Sequence, residues 1–295
     1  MRIRSTIKSL CKPLEIEAPA IEPRLKRIEG VRAVLFDIYG TLLISGSGDV
    51  GTAMQQTSDA AFEKALRVAG IAIRGNDVGP CGVDMFWSAI QRSHASAKKE
   101  GRDHPEVDVR EIWQEVLEDL KAEGDIEYSD RRGLKEEVGI QYECRVNPVW
   151  PMPGASDCLK SLSASGRKLG IVSNAQYYTP VILDALLDGF PVGVAFDRRL
   201  MEWSYMILEA KPSPAIFEKP LRNLKEIYGI APQECVYVGN DMLKDVRTAQ
   251  QLGLRTILFA GDKRSLRLHE EDPLCSKTVP DAIATDLQQI GSILI

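Results

Sequence analysis

The chain has 295 residues, with 37 Lys and Arg against 42 Asp and Glu and a formal charge of −5. That length can bury a full core and fill one large domain or two modest ones, and the acidic balance argues against a nucleic-acid surface and for a small partner. No apolar stretch approaches the roughly 20 residues of a bilayer crossing, the first thirty residues carry Arg2, Arg4, Lys8 and Lys12 without the apolar block of a signal peptide, and six cysteines lack any paired or CxxC spacing. These features predict a soluble, cytoplasmic protein with reduced thiols, neither membrane nor nucleic acid as partner, and no sequence signature of an oligomeric state.

Residues 1–29, with Pro13, Pro19 and Pro23 among charges, predict an extension that packs on the surface or frays. Residues 31–37 are a β-branched apolar run that stops at Asp37 and turns at once through Ile38, Tyr39 and Gly40 to Thr41. A carboxylate at the carboxyl end of a buried strand is a nucleophile or metal-ligand candidate, although aspartate also ends strands because it favours turns. Ser45, Gly46, Ser47 and Gly48 then form a connector suited to a hinge, or a plain loop.

From about 50 to 147 the pattern is helical, with helices over 60–68, 85–98, 109–120 and 133–138 and with Gly70, Gly101 and Gly124 as stops. Beyond 148, helices over 154–163, 215–228 and 246–252 alternate with strands over 168–172, 235–238 and 256–259. This alternation specifies an α/β fold with a parallel sheet covered on both faces. The strand ending at Asp37 must join that sheet, so the helical stretch is an insertion emerging just beyond Asp37 and placed to act as a lid.

Other chemistry falls on the same rim. Ser173 and Asn174 follow the strand at 168–172 and can donate to an anion, or serve as ordinary turn residues. Lys211 precedes Pro212, Ser213 and Pro214, residues suited to start the next helix, and can neutralise clustered anions or stay solvated. The strand at 235–238 leads into Gly239-Asn240-Asp241-Met242-Leu243-Lys244-Asp245. Two acids in that turn, with Asp37, suit magnesium, which accepts one or two carboxylates and keeps waters; capping and dipole pairing account for one acid more readily than two. In the helical stretch, His94 and His104 with Arg92, Lys98, Lys99 and Arg102 can contact a phosphate or form the wet face of a helix. Trp87 and Trp113 occupy apolar helical positions and fit the core of the insertion better than a substrate platform.

Asp37 followed by Gly-Thr-Leu, then Ser-Asn, then Lys-Pro, then Gly-Asn-Asp with a further Asp, all in order, resembles the haloacid dehalogenase superfamily of hydrolases over about residues 30–290. Pro153 to Ala155 and the Val-Pro-Asp-Ala-Ile-Ala-Thr-Asp-Leu run near the end are similar as well. The resemblance implies a Rossmann-like core at 30–48 and 148–295, an all-α cap at 49–147, and an N-terminal extension at 1–29. It implies Asp37 as the nucleophile of a covalent aspartyl intermediate, and Thr41, Ser173 and Asn174 as holders of the transferred group. Lys211 would stabilise Asp37 and the incoming anion, while Asp241, Asp245 and the Tyr39 carbonyl would join Asp37 around Mg2+. The partner implied is a small, anionic substrate.

Two positions depart from the pattern. Tyr39 stands where phosphatases of the superfamily carry an aspartate that protonates the leaving group, a contribution of about a hundred- to ten-thousandfold, and tyrosine there resembles the metal-independent 2-haloacid dehalogenases. In the last motif, Asn240 or Asp241 can occupy the metal-ligand slot. The acidic Asp241 favours a magnesium-dependent phosphatase of a small phosphorylated metabolite. A dehalogenase and a ligand-binding protein of low activity remain the alternatives.

Overall fold

Ala33–Phe36 is apolar and buried at every position, as a strand at the centre of a parallel sheet must be. In the computed structural model, which describes residues 2–47, 55–187 and 192–294, this is strand β1. In chain order the elements are α1 (Arg2–Leu10), β1, β2 (Leu43–Ser45), α2 (Gln55–Val68), β3 (Ala72–Ile73), α3 (Val78–Lys99), α4 (Val109–Ala122), β4 (Ile126–Glu127), α5 (Leu134–Val146), β5 (Val149–Pro151) and α6 (Ala155–Ala164). There follow β6 (Lys168–Ser173), α7 (Thr179–Leu186), α8 (Val192–Ala195), β7 (Met201–Trp203), α9 (Ser204–Ile207), α10 (Ala215–Tyr228), β8 (Cys235–Gly239), a π-helix (Met242–Arg247), α11 (Thr248–Gln251), β9 (Arg255–Phe259), β10 (Ala282–Ala284) and α12 (Gln288–Ile293).

Six strands form one parallel sheet in the order β10-β9-β8-β1-β6-β7. Side chains of a strand alternate between faces, so Ala33 and Leu35 pack with Ile216, Phe217 and Leu224 of α10, while Val34 and Phe36 face the larger core that includes α6, α7 and α12. The fold is therefore the expected Rossmann-like α/β arrangement. From β1 the chain builds outward through β6 and β7, then returns to the other side of β1 for β8, β9 and β10. The sheet reverses direction between β1 and β8, and in such sheets ligands bind outside the carboxyl ends at that point.

Helices α2 to α5 lie in sequence between β2 and β5, which pair antiparallel and bring the two crossings side by side. Gly70, Gly101 and Gly124 take positive φ after α2, α3 and α4, the expected stops. β3 and β4 add a two-residue antiparallel pairing that the helical pattern conceals. The connector expected to be loose is tied as far as residue 47: Ser45 and Ser47 hydroxyls donate to Asn147 Oδ1 at 2.7 and 2.9 Å, and the Gly46 amide donates to the Pro148 carbonyl. Gly48 and the expected boundary at 49 lie outside the described residues.

The N-terminal stretch is more ordered than its prolines predict. Residues 2–10 form α1, which packs on α5 and α7 and buries Ile7 and Cys11 completely. The helix expected over 246–252 begins earlier, as the π-helix that follows β8 and passes into α11. Among the described residues, no helix is long and apolar enough to cross a membrane.

Candidate active site

Parallel pairing sets Phe36 level with Val238 of β8 and Ile171 of β6. The residues just beyond, Asp37, Gly239 and Ser173, therefore emerge on one rim. Lys211, from the loop before α10, reaches into the middle of that rim and is 4 % exposed. Its Nζ donates to Asp37 Oδ1 at 2.7 Å, Asp245 Oδ1 at 2.6 Å and Tyr237 Oη at 2.8 Å, which uses all three ammonium protons. Burial works against the Lys211 ammonium, but the carboxylates of Asp245 and Asp37 outweigh it and hold the group above its usual range. Burial likewise pushes the Asp245 carboxyl up to about 6, with Lys211 pulling it down and Asp37 and Asp241 adding to the rise. Burial, reinforced by Asp245, keeps Tyr237 a phenol, and its hydroxyl donates to the Val172 carbonyl at 2.6 Å. One cation thus sits among several carboxylates, in a cluster that is short of positive charge.

The turns that carry these acids are locally determined. Gly40 has φ +80, and a Cβ there would lie 2.5 Å from Ser265 Cβ and 2.6 Å from Asn240 Nδ2. Only glycine fits. Thr41, fully buried, donates from Oγ1 to Asn240 Oδ1 at 3.1 Å, and Asn240 Nδ2 donates to the Ser265 carbonyl at 2.6 Å. Thr41 and the Asn240 side chain therefore lock the turn after β1 to the turn after β8. Gly239 admits the Asp245 carboxyl, since a Cβ there would lie 2.4 Å from Asp245 Cγ. Asp245 Oδ2 accepts from the Asp241 amide at 3.0 Å, so both of its oxygens are engaged. Asp241 Oδ1 caps the π-helix, accepting from the Leu243 and Lys244 amides at 2.8 Å each. His269 Nε2 lies 3.0 Å from the same oxygen, without hydrogen-bond geometry.

Asn174 grips the backbone of Lys211 from both sides. Its Oδ1 accepts from the Lys211 amide at 2.7 Å, and its Nδ2 donates to the Lys211 carbonyl at 3.1 Å. Ser173 is fully buried, with Oγ 3.5 Å from the Asn174 carbonyl. The loop before Lys211 is also held from the helical side: the Ala210 amide donates to the His104 carbonyl and the Glu106 amide to the Leu208 carbonyl. Leu208 there takes φ +56, a left-handed conformation costly for a β-carbon residue. Gln176 completes the link, donating from Nε2 to the Val107 carbonyl at 2.8 Å and accepting the Val109 amide at Oε1 at 3.1 Å.

Between the rim and helices α3 to α5 lies a cavity of about 320 Å³, at the lower end of the usual range for ligand sites. Asp37, Asn174, Lys211, Asn240, Asp241 and Asp245 reach it from the sheet side, as does Tyr39; Thr41 and Ser173 do not. The Tyr39 hydroxyl pairs with Thr179 Oγ1 at 2.8 Å, and burial, with Glu143 nearby, raises its pKa well above the ordinary phenol value. From the helical side Glu106 and Glu143 enter the wall. Burial raises both carboxyls; Glu143 accepts from Tyr178 Oη at 2.9 Å and Asn147 Nδ2 at 3.1 Å, and Glu106 accepts from Ser204 Oγ at 2.9 Å. Of the basic stretch only His94 lines the cavity; Arg92 pairs on the surface with Glu115, Lys98 and Lys99 are exposed, and Arg102 donates to the Leu208 carbonyl at 3.4 Å. Trp113 is core, stacked on Phe62 with centroids 5.3 Å apart, yet one surface of it and of half-buried Trp87 also borders the cavity.

Tyr237, Gln176, Glu106, Glu143 and Ser265 are missing from the sequence expectations. Tyr237 lies within an apolar strand and reads as core. The others touch partners remote in sequence, and no local spacing marks them.

Comparison with known proteins agrees with this geometry. The model of the haloacid dehalogenase-like hydrolase family matches residues 31–253. A phosphoglycolate phosphatase from Xylella fastidiosa (strain Temecula1) is 28% identical over 144 residues, covering 48% of this chain and 57% of that protein, so the chain spans little more than half the length of this relative. Two solved structures share the fold. A 2-haloacid dehalogenase from Pseudomonas syringae pv. Tomato DC3000 superposes with TM-score 0.55 at 20% identity, covering 89% of this chain and 97% of that one. A phosphatase from Thermococcus onnurineus gives TM-score 0.50 at 22% identity, with coverage of 89% and 97%. With a matched span that takes in every acid of the rim, the chain belongs to the haloacid dehalogenase-like hydrolases.

Proposed function

We propose that the chain is a magnesium-dependent phosphatase of small phosphorylated compounds that works through an aspartyl-phosphate on Asp37. The observation that carries this reading is the buried Asp37–Lys211–Asp245 cluster on the rim of the cavity, where carboxylates outnumber the ammonium. A phosphate brought there adds further negative charge beside Asp37, so a divalent cation, in addition to the lining Lys211, Lys244 and Arg267, would favour attack. The oxygen donors suit magnesium, which takes one or two carboxylates and retains waters. Asp37 and Asp241 with the Tyr39 carbonyl would hold it, and Asp245, both oxygens engaged, would orient Lys211 and the Asp241 amide. Among the described residues no three His, Cys, Asp or Glu side chains group as a metal cluster. When bound, magnesium would neutralise charge on the transferring phosphoryl group.

In this reading the free oxygen of Asp37 attacks phosphorus in line while the bond to the leaving oxygen breaks, and water then releases phosphate and regenerates the carboxylate. Lys211 donates to Asp37 Oδ1 and holds it in place. Asn174 positions Lys211, and Thr41 with Asn240 keeps the nucleophile turn fixed. Helices α2 to α5 act as a cap over the cavity, within an extension at 1–29, a core at 30–48 and 148–295, and a cap at 49–147. A cytoplasmic location fits six thiols that form no disulfide.

Tyr39 supports a second reading, metal-independent dehalogenation of a 2-haloacid, in which Asp37 attacks a neutral carbon and Lys211 alone balances its charge. Hydrolysis of p-nitrophenyl phosphate, whose leaving group needs little acid assistance, separates the two. The expected result is turnover with magnesium, abolition by excess chelator, and a loss of about a thousandfold or more in Asp37→Asn. Absence of turnover together with halide release from 2-chloropropionate would establish dehalogenation instead.

A further inference from the structure

The cavity has two chemically distinct ends. Its lining cations, Lys211, Lys244 and Arg267, all come from the sheet side. On the helical side the described lining holds Phe86, Trp87, Trp113, Tyr142 and the carboxyls of Glu106 and Glu143, with no lysine or arginine. The rings form one cluster, with centroids 4.9 Å apart for Phe86 and Trp113, 5.4 Å for Trp113 and Tyr142, and 5.9 Å for Phe86 and Trp87. His94 borders the same end; burial, aided by Lys98, lowers its pKa and keeps the imidazole neutral, and its Nε2 is buried with no hydrogen-bond partner among the described residues.

With the phosphoryl group of an intact ester docked beside Asp37 on the rim, its alcohol part has the rest of the cavity to occupy, and the wall facing the rim is that aromatic end. A carboxylate placed there would meet two carboxyl groups and a desolvated wall without a matching cation, which is unfavourable twice over. An apolar ring would instead gain offset or edge contacts with the existing rings, and one neutral polar atom on it could satisfy His94 Nε2. We infer that the substrate is a phosphate monoester of an uncharged alcohol bearing an aromatic ring, and that carboxylate-bearing esters such as phosphoglycolate are disfavoured. This rests on the phosphatase reading and separates the chain from relatives named for phosphoglycolate.

The test compares kcat/KM for benzyl phosphate and 2-phosphoglycolate, both alkyl monoesters, with 2-aminoethyl phosphate as a cationic control, all with magnesium. Benzyl phosphate is expected to exceed each of the others by about tenfold or more, equivalent to about 1.4 kcal/mol. Trp87→Ala, which removes a half-buried ring, is expected to raise KM for benzyl phosphate and shrink that ratio. Phosphoglycolate or aminoethyl phosphate turned over as well as benzyl phosphate, or a ratio unmoved by Trp87→Ala, overturns the inference and leaves the phosphatase reading intact. Turnover of none of the three or of p-nitrophenyl phosphate sinks the phosphatase reading and this inference with it.

Discussion

Lys211 is the residue on which the rim depends, because its three protons are shared among two carboxylates and a phenol for which, among the described residues, no other cation makes a hydrogen bond. Replacing it by methionine keeps the stem and removes the charge, leaving Asp37 and Asp245 buried against each other. Breaking a buried pair in this way costs about 3–5 kcal/mol, so Lys211→Met is expected to lower urea-unfolding stability by that order at pH 7 as well as to abolish turnover. A variant as stable as the parent would mean that the Lys211 ammonium contributes nothing net to the fold. Glu143 allows the sign of a pH effect to be worked out. Burial raises its carboxyl, against the pull of its bonds to Tyr178 and Asn147, so the folded state binds its proton more tightly than the unfolded chain does. Its contribution is fully present below the unfolded pKa and is lost as pH rises through the folded one. Glu143→Gln cannot ionise, so its stability relative to the parent should improve steadily on going from acid to neutral pH, as unfolding curves at several pH values will reveal; a constant difference would mean that folding does not shift the Glu143 carboxyl.

Among the elements, the segment that enters α4 is fastened to the sheet side by Gln176, whose amide brackets residues 107 and 109, while residues 104–106 pair with 208–210. Gln176 is 5 % exposed, so Gln176→Ala removes two hydrogen bonds and leaves a buried carbonyl and amide unsatisfied. The expected loss is about 2–4 kcal/mol in chemical denaturation, with KM rising more than kcat falls, since the segment carrying Glu106 in the cavity wall loosens while Gln176 makes no hydrogen bond to Asp37. Equal losses in both would place Gln176 in the chemical step. This bracket shows where sequence reasoning stops. The long periodic elements, β1, β6, β8, α3, α4 and α10, are legible because each carries its own apolar pattern, and Asp37, Lys211, Asp241 and Asp245 are legible because they stand at the ends of such elements. The three-residue strands β2, β5, β7 and β10 carry little pattern of their own and exist because a neighbouring strand pairs with them. Gln176, Glu106 and Glu143 acquire meaning only from partners tens of residues away, and the commitment of Asn174 to the Lys211 backbone, rather than to an anion, is likewise a tertiary fact.

Across the whole molecule, residues 2–28 act as a strap. Helix α1 sits on α5 and α7, residue 17 meets residues 262–264, and Arg24 and Ile28 pair with Ile283 and Leu294. The strap therefore touches the proposed cap, the sheet side beneath it and the far edge of the sheet. Its first turns contribute the completely buried Ile7 and Cys11, and full burial of one such aliphatic side chain stabilises by about 1.5–3 kcal/mol. Removing residues 1–12 should then lower stability by about 2–4 kcal/mol. The loss should fall unevenly, because α1 is one of the contacts that couple α5 to α7. Trp87 and Trp113 report on the helical segment, whereas Trp150 and Trp203 lie in β5 and β7. With the first pair replaced by phenylalanine in one variant and the second pair in another, fluorescence unfolding curves in urea should coincide in the full chain and separate in the truncated one, the helical segment melting first. Coincident curves at an unchanged midpoint would show that α1 is only a surface passenger, and that the cap is coupled to the sheet through other contacts, among them the Gln176 bracket, the Glu143–Tyr178 bond and the pairing of 104–106 with 208–210.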